Sequence, residues 1–241
     1  MPELPEVEIL CRNLRRWLVG HRVRLEDLDF GLGSRSMDVV RVRRRAKYAL
    51  VEGADQTWVL HLRMTGKVVP TRPEGRTRAR FHTPAASFDF KDTRRLGTLS
   101  AVRAFDDSHL GPEPWPEQRD AAWWREQLSL TRSAIKPALM RQDLVAGLGN
   151  IAANEILFRA GISPTARVQH VSRWQALAEQ AHTYLTDVVE HEEGDEIQYV
   201  NEGGPNPFLV YGRVRCPTCG GPIVRTVQGG RSTFSCCQCQ Q

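Results

Sequence analysis

The sequence predicts an α+β multidomain protein: an N-terminal helix with an antiparallel β-sandwich, then a helical region ending in a four-cysteine zinc finger. Three observations predict this. The chain opens on a helical stripe, short β-rich runs fill residues 23–105, and helical stripes return after a proline-rich stretch. In residues 5–18, Val7, Leu10, Cys11, Leu14 and Leu18 recur at helical spacing with Arg12, Arg15 and Arg16 off the stripe, and Gly20 ends the helix. The runs Val39–Val42, Tyr48–Val51, Trp58–Leu62, Ser87–Phe90 and Leu99–Val102, separated by Gly, Pro and Asp, read as antiparallel strands. Gly111-Pro-Glu-Pro-Trp-Pro116 reads as a stiff linker, and helical patterns follow at 120–129, 134–145, 151–160 and 172–191. Residues 192–207, rich in Gly, Glu, Asn and Pro, read as a loop. The expected divisions are a β-sandwich domain at 2–110, a linker at 111–119, a helical domain at 120–195, a loop region at 196–209 and the finger at 210–241.

Length and charge narrow the function classes. A chain of 241 residues and 27.3 kDa suits one large domain or two ordinary ones. The longest uncharged run, Leu144 to Asn154, is far short of the ~18 apolar residues of a membrane span. The opening MPELPEVEIL is acidic from its third residue, unlike a secretory or transit peptide, so the expected location is cytoplasmic. Net charge is +5, and 29 of the 33 basic residues are Arg, whose fork matches phosphate. The excess lies in residues 1–116, with 21 basic against 15 acidic side chains, and suggests a polyanionic partner or simply a solvated basic face.

Five of the six cysteines crowd the last 26 residues. Cys216-Pro-Thr-Cys219 and Cys236-Cys-Gln-Cys239 are two C-x-x-C knuckles, and the sixteen residues between them suffice for a hairpin. Four thiolates leave a zinc ion no open position, so the expected Zn2+ is single and structural. Cys237 is a spare thiol that breaks the spacing.

Pro2 follows the initiator Met, and a small second residue permits removal of that Met. The exposed secondary amine would sit at the positive end of a helix, which disfavours its ammonium form. Such an amine attacking an aldehyde-level carbon gives a cationic iminium suited to elimination, with Glu3 beside it as a proton donor. Pro and Glu are equally ordinary residues of a first helical turn.

MPELPEVE at the start, Arg45-Ala-Lys-Tyr48, His61-Leu-Arg-Met-Thr-Gly66, Asp92-Thr-Arg-Arg-Leu-Gly97, Ala134-Ile-Lys-Pro137, Gly147-Leu-Gly-Asn150 and the Arg231-Ser-Thr-Phe run before Cys236 occur in one order along the chain. Together they resemble the formamidopyrimidine-DNA glycosylases, relatives of endonuclease VIII that remove oxidised purines from DNA. The resemblance implies Pro2 as nucleophile at C1′, Glu3 as acid, Lys47 in support of β-elimination, and Arg231 in δ-elimination and phosphate contact. It implies a helix–two-turns–helix motif around Gly147–Asn150, where Asn150, Lys136 and Arg132 would meet phosphate, although such a turn by itself is equally a plain helix cap. Met64, Arg94 and Leu96 fall at the family's void-filling positions, Leu96 where an aromatic residue is usual. The family's DNA-contacting His falls at Arg76, or alternatively at His82. The segment Glu196–Leu209 is shorter than the usual lesion-recognition loop and carries Gly204-Pro-Asn-Pro207 in place of Gly-Tyr-Phe.

The implied function is a bifunctional glycosylase and abasic-site lyase acting on oxidised purines. An endonuclease VIII-like preference for oxidised pyrimidines and a non-catalytic damaged-DNA-binding protein are the alternatives. The expected partner is double-stranded DNA containing oxidised bases or abasic sites, lying in a cleft with phosphates against Arg76, Arg94, Arg132, Asn150 and Arg231. A single lesion has no two-fold symmetry to match, so a monomer is expected.

Overall fold

The computed structural model describes residues 2–191 and 206–241, which fall into two compact units, the first extending to Asp107 and the second starting at Ser108. The expected loop region 196–209 therefore lies outside the described residues up to 205.

The first unit opens with α1 (Leu4–Leu18). Glu3 and Glu6 form a reciprocal capping box, in which the Glu3 N–H donates to Glu6 Oε2 at 2.8 Å, while Arg15 and Arg16 in the last turn complement the helix dipole. Two antiparallel sheets follow. In one, β1 (Arg22–Asp27), β2 (Arg35–Asp38), β6 (Lys67–Pro70), β7 (Thr77–His82) and β8 (Ser87–Lys91) lie in the order β2-β1-β7-β8-β6. In the other, β3 (Arg41–Arg45), β4 (Tyr48–Glu52), β5 (Thr57–His61) and β9 (Thr98–Val102) lie in chain order. Leu10, Leu14 and Leu18 of α1 share one continuous core with Val23, Phe81 and Phe90 of the first sheet and Val51, Trp58 and Leu60 of the second. At its edge Trp17 stacks on Phe88, ring centroids 4.4 Å apart.

The apolar run Val39–Val42, expected as one strand, is where the chain changes sheets. Val39 exchanges backbone bonds with Gly20 and His21, whereas the Val40 N–H donates to Glu52. The run therefore breaks between β2 and β3. Strands β1 and β7 lack a continuous apolar run because charged residues interrupt them, among them the buried Arg78.

The second unit holds α2 (Ala121–Ser129), α3 (Ile135–Leu139), α4 (Asn150–Arg159), a 3-10 turn at Val168–His170 and α5 (Trp174–His191). The helix expected at 134–145 stops at Leu139. Beyond it the Gln142 side-chain amide donates to the carbonyls of Met140 and Leu148 and accepts the Gly147 N–H, folding 140–149 into turns. The proline-rich segment is packed onto this unit: Gly111 N–H donates to Gln142 O, Ala146 N–H to Pro112 O, and Trp115 Nε1 to Thr186 Oγ1.

The C-terminal hairpin pairs β10 (Ile223–Gln228) with β11 (Arg231–Cys236) through Gly229 and Gly230, both at positive φ, as a tight hairpin turn requires. Gln240 joins the Cys236 N–H to the carbonyl of Ile162, which fastens the hairpin to the end of α4. Among the described residues no helix is long and apolar enough to cross a membrane.

Leu14 is fully buried where α1 meets both sheets, while Leu130 is 71% exposed. Leu14→Ala should cost about 3 kcal/mol in chemical denaturation, and Leu130→Ala under about 0.5. Equal effects of the two would refute the placement of α1 at the centre of the core.

Candidate active site and metal centre

Pro2 and Glu3 lie buried at the start of α1, where Glu3 is the N-cap. Lys47 sits half-buried in the two-residue turn joining β3 to β4, beside Ala46 at φ +51°. An ion pair helps tie that turn to α1: Arg44 donates from Nε to Glu8 Oε2 at 3.2 Å and from Nη1 to the Ala46 carbonyl at 3.3 Å. The Arg44 guanidinium thus bridges the helix that follows Pro2 and Glu3 and the turn that carries Lys47.

His61, which sequence alone marks only as part of a motif, belongs to the same neighbourhood. Its ring meets Tyr48 edge-on at 4.7 Å and accepts the Arg63 N–H. Burial first, then the charges of Arg63 and Lys47, push its pKa down to about 4. It is a neutral imidazole at physiological pH, able to accept or donate one hydrogen bond beside a lysine.

Met64, Arg94 and Leu96 stand on two loops of the first unit. Leu96 is 45% exposed and Arg94 is exposed, so Leu96 is not a core residue. Arg76 is exposed in an open hollow of about 430 Å3, lined also by Thr65, Lys67, Arg72 and Lys91. His82 is engaged elsewhere, between Glu26 at 2.9 Å and Ser87 at 2.9 Å within its sheet.

In the second unit the structure corrects the expected role of Lys136. Its side chain is fully buried, and its ammonium donates to Asn150 Oδ1 at 2.7 Å, Thr233 Oγ1 at 2.9 Å and the Ser232 carbonyl at 3.2 Å. It is an internal brace rather than a surface charge offered to phosphate. Asn150, 9% exposed, is drawn into the same brace and donates from Nδ2 to Ser232 O at 3.1 Å. The Gly147 turn (φ +104°) and the first residues of α4 are thereby fixed to β11, whose first residue is the exposed Arg231. Arg132 is exposed on the segment before α3.

The four knuckle thiols converge, all Sγ atoms within 4.8 Å of one another, with Cys216–Cys239 at 3.7 Å and Cys219–Cys236 at 3.5 Å. Tetrahedral zinc with bonds near 2.3 Å places sulfurs about 3.8 Å apart, so the set fits such a cation. Cys237 is exposed and outside the cluster.

Family models for the formamidopyrimidine-DNA glycosylase N-terminal domain and for its H2TH domain match residues 1–99 and 110–198. A formamidopyrimidine-DNA glycosylase of Burkholderia thailandensis is 35% identical across the full length of both chains. The chain belongs to the formamidopyrimidine-DNA glycosylase family. Its fold agrees with that of solved relatives. The MutM (Fpg) protein of Thermus thermophilus aligns at TM-score 0.85 and 33% identity, covering 99% of this chain and 98% of that one. The Lactococcus lactis Fpg in complex with DNA containing an oxidised pyrimidine aligns at TM-score 0.86 and 28% identity over the whole of both chains. As a member of this glycosylase family the protein is an enzyme, and its four cysteines stand close enough to hold one metal ion.

Strong chelation should unravel the hairpin of this glycosylase while leaving its N-terminal core intact. Amide exchange would show it: protection of Ile223–Cys236 falls at least a hundredfold, whereas amides of α1 and β5 change little. Parallel loss in α1 would contradict independent stabilisation by the metal.

Proposed function

We propose that the protein is a bifunctional glycosylase and lyase that excises oxidised purines, 8-oxoguanine and formamidopyrimidines, from double-stranded DNA and nicks the strand by β,δ-elimination. The observation that carries this reading is the buried Pro2–Glu3 start of α1, held with the Lys47 turn through Glu8 and Arg44. Once Met1 is removed, the Pro2 nitrogen lone pair attacks C1′ of the damaged nucleotide. The C1′–N bond to the base breaks, and the base leaves with a proton from Glu3, which also assists opening of the sugar ring. The ring-opened adduct is an iminium. Loss of a proton from C2′ expels the 3′ phosphate, with Lys47 in support, and a second elimination with Arg231 at hand expels the 5′ phosphate. Hydrolysis of the iminium frees Pro2.

Phosphates would be met by Arg76, Arg94, Arg132 and Arg231 and by the turn before α4, with Asn150 fixing the turn rather than offering its whole amide. Met64, Arg94 and Leu96 would fill the gap left by the extruded nucleotide. The cation in the cysteine cluster would be one structural Zn2+, held by Cys216, Cys219, Cys236 and Cys239. The enzyme would act as a monomer on cytoplasmic DNA. A second reading, preference for oxidised pyrimidines, is favoured by the exposed aliphatic Leu96 where the family's aromatic residue is usual.

Borohydride should trap a covalent protein–DNA adduct on duplex containing 8-oxoguanine or an abasic site, with intact mass confirming that Met1 is absent. Glu3→Gln should slow release of 8-oxoguanine about a hundredfold or more while sparing cleavage at a preformed abasic site. Normal cleavage without a trapped adduct would overturn the iminium mechanism. Faster excision of thymine glycol than of 8-oxoguanine would favour the second reading.

A further inference from the structure

Two loops carry the three residues assigned to void filling, and each has an arginine in the left-handed region beside the residue at its tip. Arg63 (φ +56°) precedes Met64, and Arg95 (φ +56°) lies between Arg94 and Leu96. Residues bearing a β-carbon rarely adopt this conformation, so the surroundings must hold both loops in shape. One buried side chain bonds to both loops: Asp92, 1% exposed. Its Oδ1 accepts the Thr65 hydroxyl at 2.5 Å from the first loop and the Arg94 N–H at 3.2 Å from the second. Its Oδ2 accepts the Gly97 N–H at 2.6 Å and Arg78 Nη1 at 3.3 Å. Arg78 is itself fixed, donating to Asp29 at 2.7 Å and to the Gly97 carbonyl at 2.6 Å, with its guanidinium 4.1 Å from the Phe30 ring centroid. Although burial by itself would raise its pKa, these donors, led by Thr65, hold the Asp92 carboxyl below its ordinary value, so it is ionised at neutral pH.

The loops also share a floor. A β-carbon on Gly66 would come within 2.9 Å of the Phe90 ring, and one on Gly97 within 2.8 Å. Neither loop can settle deeper, and the carboxylate keeps them from parting.

We propose that Asp92 and Thr65 are positioning residues that lock the two loops into one wedge, so that Met64 enters the DNA together with Arg94 and Leu96. This rests on the void-filling reading above. Placement of the loops and stability of the sheet edge are separated by two substitutions. Thr65→Val removes both hydroxyl bonds between the loops, to Asp92 Oδ1 and from the Arg94 N–H at 3.4 Å, and leaves the Asp92 bonds to Arg94, Gly97 and Arg78. Thr65→Ser restores the hydroxyl.

The readout is 2-aminopurine placed opposite a tetrahydrofuran abasic analogue, whose fluorescence phase on mixing reports void filling, alongside thermal melting. Thr65→Val should slow this phase about tenfold with melting within about 3 °C of the parent, and Thr65→Ser should restore it. Met64→Ala and Arg94→Ala should be strongly non-additive in the parent protein and additive in the Thr65→Val background. The inference is overturned if Thr65→Val changes the phase less than twofold, if its loss follows a large drop in melting temperature that Ser does not restore, or if the coupling survives it. If Met64→Ala and Arg94→Ala both leave the phase unchanged, the void-filling reading itself fails and takes the inference with it.

Discussion

An ammonium group cut off from water needs three acceptors, and Lys136 finds them in Asn150, Ser232 and Thr233. Two of these lie on the hairpin strand and one at the start of α4, and Thr233 stands 97 residues from Lys136 in sequence. Removing one acceptor from such a buried ammonium costs about 1.5–3 kcal/mol, because one of its N–H groups is left unsatisfied. The α4 turn and the strand that begins at Arg231 are therefore set by the same bonds, and the far end of that strand enters the four-cysteine cluster through Cys236. Glu155 adds a second buried brace, its carboxylate accepting the N–H groups of Leu209, Val210 and Tyr211 and so fixing the chain's entry into the finger.

The first unit relies on arginine in the same internal manner. Arg44 joins Glu8 to the turn carrying Lys47, Arg78 joins Asp29 to Asp92, and Arg45 pairs with Asp107 at 2.7 Å. Arg41 and Arg43 share Glu52 across the β3–β4 pair. A good part of the arginine excess is thus structural. What stays exposed for a polyanion includes Arg63, Arg76, Arg94 and Arg103 in this unit and Arg125, Arg132 and Arg231 in the other.

These roles explain what could be read from the sequence. α1, the central strands and the cysteine cluster were legible because their signals are local: a helical stripe, apolar runs and a fixed ligand spacing. β1 and β7 were not: charged residues interrupt both, and β7 buries Arg78, which is neutralised by Asp29 and Asp92 elsewhere in the chain. The stop at Leu139 was hidden for a related reason: it depends on where Gln142 sends its amide. Spacing placed Lys136 among the motif residues but did not distinguish a surface cation from an internal one. His61 carried a weak signal of its own, a histidine in a strand ending next to a lysine turn, and only the pairing of β4 with β5 brings it beside Tyr48.

The Phe90 ring under Gly66 and Gly97 has a consequence for how this chain can vary. Ring and glycines come from separate stretches of sequence, yet they form one joint with no slack, so none of the three can drift by itself. A larger residue at Gly97 would need a smaller ring, one at Gly66 would also strike the Leu62 carbonyl, and a smaller ring would leave a hollow under both loops. Chimeras between relatives should therefore cross over outside residues 66–97. A junction inside that interval would unite a floor from one parent with a loop shaped on another's.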